Sequence, residues 1–116
     1  MSQPAPDGIG LIPRPDKTPA ALKAALAVVA PDRLPEMVEG QTGAMAAAIK
    51  EGSVSPILSF VAHWAAVVEI ERVQDTAKAY HRANYLANHA PSVEECRAHA
   101  VEVAELYRSA FAAVNG

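Results

Sequence analysis

Apolar residues recur at helical spacing from residue 18 onward, and no stretch alternates as a strand would. Leu22, Leu26 and Val29 share one face of a first segment, which Thr18 caps, Pro19 opens and Pro31 closes. Leu34, Val38, Gln41, Met45, Ala48 and Ile49 mark a second segment ended by Gly52. Gly40 and Gly43 lie inside it and imply either a break or a close helix crossing. The third segment opens at Ser55-Pro56 and is apolar on nearly every side up to Glu69, the pattern of a helix in the middle of a bundle. Glu71 and Arg72 read as its emergence into solvent. Asp75 is a candidate cap for a fourth helix over 76–89, unless the third simply runs on. Ser92-Val-Glu-Glu95 has the spacing of a capping box. Behind it Val93, Cys96, Ala100, Val103, Tyr107, Ala110 and Val114 follow steps of three and four, a heptad stripe that reads as a core-facing seam. The expected fold is all-α: a compact bundle of four to five helices over residues 18–116.

Composition alters the character of that core. Of the 116 residues, 25 are Ala and six are aromatic, so the helices must pack closely, with few large side chains between them. Residues 1–17 hold four of the nine prolines and read as a flexible Pro/Gly-rich tail; removal of residues 1–15 should leave the melting temperature nearly unchanged. Ile9, Leu11 and Ile12 form an apolar patch within it, a candidate docking segment.

Charge and cysteine usage narrow the setting. The net charge is −3 and no basic run occurs, so direct nucleic-acid binding is not expected. The apolar third segment, without Lys or Arg before Arg72, cannot serve as a recognition helix. Its run from Ile57 to Val68 is shorter than the roughly 20 residues a membrane span needs. A single Cys96 and a start without the pattern of a secretion signal point to a cytoplasmic protein.

Candidate chemistry is sparse. His81 and His89 share a helix face, but no third ligand stands at metal-binding spacing, and neither metal nor cofactor is expected. Cys96, on the apolar stripe, reads as a buried small hydrophobe. No carboxylate pair, phosphate loop or nucleophile constellation converges, so no catalytic residue is assigned. His63 lies beside Trp64 in the most apolar helix. It reads as a hydrogen-bonded structural histidine, the alternative being a ligand-binding or catalytic pocket built on His63 and Trp64. An open pocket beside His63 would favour that alternative.

The order Thr18-Pro-Ala-Ala-Leu-Lys-Ala-Ala-Leu26, Val29-Ala-Pro-Asp-Arg-Leu-Pro-Glu-Met37, Gly52-Ser53 and Pro56-Ile-Leu-Ser-Phe-Val-Ala-His-Trp64 resembles a family of small uncharacterised all-helical proteins from high-GC bacteria. Its members look like the antitoxin half of toxin–antitoxin pairs. The resemblance covers residues 16–90 and extends toward 114, and it lacks the proline expected near Asp75. It implies a non-enzymatic, antitoxin- or immunity-like module that binds a partner protein, a basic toxin. Glu94, Glu95, Glu102 and Glu105 on the last helix then become the candidate partner surface, together with Ile9, Leu11 and Ile12. An oligomeric scaffold, with a homodimer as its simplest form, is the further alternative.

Overall fold

Thr18 begins the ordered helices as its sequence position requires. In the computed structural model, which describes residues 11–116, its Oγ1 accepts from the Ala21 amide at 3.2 Å and Pro19 fills the first helical position. Five α-helices follow: α1 (Pro19–Val29), α2 (Leu34–Glu51), α3 (Ser55–Arg72), α4 (Gln74–Asn88) and α5 (Val93–Asn115), with a 3₁₀ turn at Pro31–Arg33. Helical residues make up 83% of the described chain, and no strand occurs among them.

α3 is the axis. It touches every other helix, in line with its all-round apolar surface. Leu22, Ala25 and Leu26 of α1 and Met37 of α2 pack with Phe60, Trp64, Ala65, Val67 and Val68 of α3 in the main core. A second, smaller cluster joins Ala66 and Ile70 to Ala110, flanked by Tyr80, Tyr107 and Val114. Two of its three buried members are alanine. α5 runs antiparallel to α3: Asn115 Nδ2 donates to the Ala62 carbonyl at 3.1 Å, and Ala110 packs beside Ile70.

α2 is unbroken across Gly40, which lies at the crossing with α3 where a Cβ would meet only ordinary contacts. A Cβ there would lie 3.5 Å from Phe60 Cε1 and 3.7 Å from Trp64 Nε1. Gly52 ends α2 at φ 65° in the left-handed region. Ser55 is the first residue of α3 and not its cap; Ser53 Oγ accepts the Ser55 amide at 3.1 Å. The α3–α4 question resolves as a break at Val73, which is extended (φ −106°, ψ 117°), while Thr76 Oγ1 donates to the Ile70 carbonyl at 2.8 Å across it. Asp75 therefore lies in the first turn of α4 and not at its cap. In α5, Ser92 Oγ accepts the Glu95 amide at 3.1 Å, as the capping pattern anticipated.

Three expectations are corrected. Glu71 and Arg72 do not emerge into solvent; they are 5% and 0% exposed. Arg72 donates from Nε to Glu69 Oε1 at 2.8 Å and from Nη1 to the Ile12 carbonyl at 3.2 Å. Glu71 meets Nε2 of the exposed His81 at 2.9 Å. Secondly, the heptad stripe of α5 is core-facing only in its C-terminal half. Val93, Cys96 and Ala100 are exposed, in line with a 23-residue α5 that runs antiparallel to an 18-residue α3 from Asn115 beside Ala62. Cys96 is thus an exposed thiol, not a buried hydrophobe. Thirdly, residues 11–17 carry no helix, yet they are tied down. The Leu11 amide donates to the Arg72 carbonyl at 2.7 Å, Arg14 pairs with Glu69 at 2.8 Å, and Ile12 packs on the main core. Ile9 lies outside the described residues. No helix among those described is long and apolar enough to cross a membrane.

Candidate functional site

The α2–α3 crossing opens on one side into a cleft of about 490 Å³ lined by Glu36, Glu39, Gly40, Pro56, Ser59, Phe60, His63 and Trp64. Its position follows from the sequence. Pro56, Ser59, Phe60 and His63 fall at steps of three, one and three, so they share a face of α3. Gly40 has no side chain to fill the space opposite. His63 therefore borders an open cleft and is not sealed in the core.

His63 is fixed by long-range contacts. Its Nδ1 is 2.7 Å from the Tyr107 hydroxyl of α5, and its ring meets the Trp64 indole edge-on at a centroid distance of 5.2 Å. Burial holds the imidazole pKa below its ordinary 6.5, and the Arg33 charge adds to this against the opposing pull of Glu36. The neutral ring is thus the resident form at neutral pH. Burial also raises the Tyr107 phenol above 10.0, with Tyr80 contributing, so the hydroxyl keeps its proton.

Trp64 is 3% exposed and forms the floor. The Arg33 guanidinium lies 5.2 Å from its ring centroid and binds the Glu36 carboxylate at 3.2 Å. The indole Nε1–H donates to no acceptor among the described residues. Among the described residues, the sealed side-chain atoms without a hydrogen bond are Asn115 Oδ1 and Glu71 Oε2, the latter within 2.9 Å of His81 Nε2. The indole nitrogen is not one of them: it keeps an opening to the cleft over Gly40. Glu39, on the rim, has no salt-bridge partner among the described residues. Sequence reasoning found His63 and Trp64 but missed Glu36, Glu39, Gly40 and Tyr107. Only the pair of glycines in α2 hinted at the crossing that brings them together.

The other candidate residues lie elsewhere. Glu94, Glu95, Glu102 and Glu105 are all exposed on α5, and none is engaged in an ion pair among the described residues. They belong to one outward surface, away from Val103, Tyr107 and Ala110. Leu11 is 65% exposed beside the half-buried Ile12. No group of three His, Cys, Asp or Glu side chains among the described residues is placed to hold a metal ion.

A second exposed feature was not anticipated. Met45, Ile49, Val54 and Leu58, at the far end of the α2–α3 hairpin, are 48%, 79%, 65% and 62% exposed. Three of them border an apolar hollow of about 240 Å³ shared with Ala48 and Ile57. The periodicity of Met45 and Ile49 was visible in the sequence, but periodicity says only that two residues share a face, not that the face is covered.

Comparison with protein-family models, curated proteins and solved structures finds no match.

Proposed function

We propose that the chain is a non-enzymatic protein-interaction module of antitoxin or immunity type, whose partner is a basic protein. The exposed apolar end of the α2–α3 hairpin supports this reading most directly. Contiguous apolar surface of this kind costs solubility and is characteristic of interaction sites. The unpaired carboxylates of Glu94, Glu95, Glu102 and Glu105 add an acidic face suited to steering a basic partner.

Binding suits the His63 cleft better than catalysis. A nucleophile–histidine system needs a nucleophile within hydrogen-bond reach of the imidazole, and no Ser, Cys or Thr side chain is hydrogen-bonded to His63 among the described residues. Here the orienting group is the Tyr107 phenol, and the ring is held neutral.

Co-expression with the product of the neighbouring gene, followed by size-exclusion chromatography, tests the proposal. A stable complex is expected, and Ile49→Asp with Leu58→Asp should abolish it while circular dichroism stays unchanged. A failure to form any complex, or a complex indifferent to both substitutions, overturns the reading.

A further inference from the structure

The cleft between α2 and α3 combines three features that together describe a ligand. The first is a hydrogen-bond donor without an acceptor. Trp64 is almost wholly buried, yet its Nε1–H has no protein acceptor among the described residues and opens onto the cleft beside Gly40. An N–H aimed into an apolar-walled cleft can donate to a ligand oxygen in place of water. The second is an anionic rim. Glu39 stands next to Gly40 in the chain and has no salt bridge among the described residues, whereas Glu36 is held by Arg33. The third is an apolar wall of Pro56 and Phe60 between them. The chain already shows how a cation sits here: the Arg33 guanidinium stacks on the same indole and binds the neighbouring carboxylate.

A ligand that matches has a carbonyl oxygen, a short apolar stem and a positive head. A basic residue within a polypeptide has all three. The cleft is a trough, since Glu36, Glu39, Gly40 and Ser59 on its rim are themselves exposed. A free small molecule would stay largely in water there, while a polypeptide crossing the trough is held on both sides.

We propose that this cleft anchors a basic side chain of the partner protein, the Trp64 indole N–H donating to a backbone carbonyl of the partner and the Glu39 carboxylate receiving the charged head. The inference rests on the protein-interaction reading above and assigns the cleft a place in it. It gives Gly40 a role as the window onto the indole.

The chain's single tryptophan supplies the readout, because its indole gives one unambiguous ¹H–¹⁵N resonance. The probe is the tripeptide acetyl-Ala-Lys-Ala-amide, and its control replaces lysine with norleucine. The lysine peptide should shift the indole resonance saturably. The norleucine peptide, without the charge, should bind about fivefold more weakly, as should the lysine peptide to Glu39→Gln. Gly40→Ala is the decisive variant. Its Cβ makes only ordinary contacts, so the fold is kept and helix propensity rises. It stands over the indole nitrogen, so lysine-peptide binding should fall by at least about tenfold while the melting temperature holds or increases. An indole resonance that ignores the lysine peptide overturns the proposal. So do equal responses to lysine and norleucine, and a Gly40→Ala variant that binds like wild type. Ile49→Asp separates the two readings: it should lose the partner complex and retain the peptide-induced shift. A complex without any indole response sinks the cleft alone. An indole response in a chain that forms no complex sinks the interaction-module reading alone.

Discussion

The guanidinium of Arg72, with none of its side chain exposed, is held by the carboxylate of Glu69 one helical turn earlier, Nε to Oε1 at 2.8 Å. Glu69 is held in turn by Arg14 from the N-terminal segment. A charge so deeply placed is tolerated only while its partners remain. Arg72→Ala removes the buried cation and should cost about 3–5 kcal/mol, the range for breaking a buried pair. Arg72→Met keeps the volume and leaves Arg14 on Glu69, so its loss should be clearly smaller. Denaturant melts of both variants check the ordering, and equal losses would contradict it.

The same pair makes stability acid-sensitive. Burial raises the Glu69 pKa, but the hydrogen bonds and charges of Arg14 and Arg72 outweigh it, and the carboxyl sits below its ordinary 4.5. A depressed folded pKa stabilises the fold above the unfolded value, and that stability is lost as pH falls through the folded one. Stability should therefore decline below about pH 4.5. In Glu69→Gln this part of the decline should be absent. A parallel pH profile for the variant would show that the acid sensitivity arises elsewhere.

His63 contributes a second, milder pH dependence. Its folded pKa is lowered from 6.5 by burial and by Arg33, so the unfolded chain binds the proton more readily. Stability should rise with pH through the interval just below 6.5 and level off above it. His63→Leu should flatten that interval. An NMR titration that placed the His63 midpoint above 6.5 would reverse the sign of this prediction.

Residues 11–15 are part of the folded unit. Deleting 1–15 takes away the Leu11 amide, the Ile12 contact and Arg14, and leaves Arg72 and Glu69 with fewer partners. The melting temperature should fall by at least about 5 °C. A midpoint within a degree of wild type would restore the reading of this stretch as an independent tail.

Trp64→Ala removes a nearly buried aromatic from the main core and should cost about 3–5 kcal/mol. A loss under about 1 kcal/mol would mean that the side chain does not carry core packing.

Local signals were legible wherever the chain makes its own contacts. Thr18-Pro19 and Ser92 cap the helices they were read to cap, and the apolar run of α3 marked the central helix. Legibility failed where a partner arrives from far along the chain. Arg72 resembles a helix end entering solvent because one of its partners, the Ile12 carbonyl, lies 60 residues away, and Glu71 meets His81 only through the next helix. The heptad stripe of α5 was real as a periodicity, but no local pattern states where α3 ends and leaves Cys96 uncovered. For the cleft, His63 and Trp64 stood out through their chemistry. Glu39 and Gly40 did not, since a glutamate on a helix surface and a glycine within it are individually unremarkable.

The break at Val73 gives α5 the part of a splint. α5 lies along the second half of α3 and along α4, bridging the point where the backbone leaves helical geometry. Its hold on α3 combines the Ala66–Ala110 packing with the Tyr107–His63 and Asn115–Ala62 hydrogen bonds. The joint at Val73 is thereby spanned by one continuous helix that touches the chain on both sides of it.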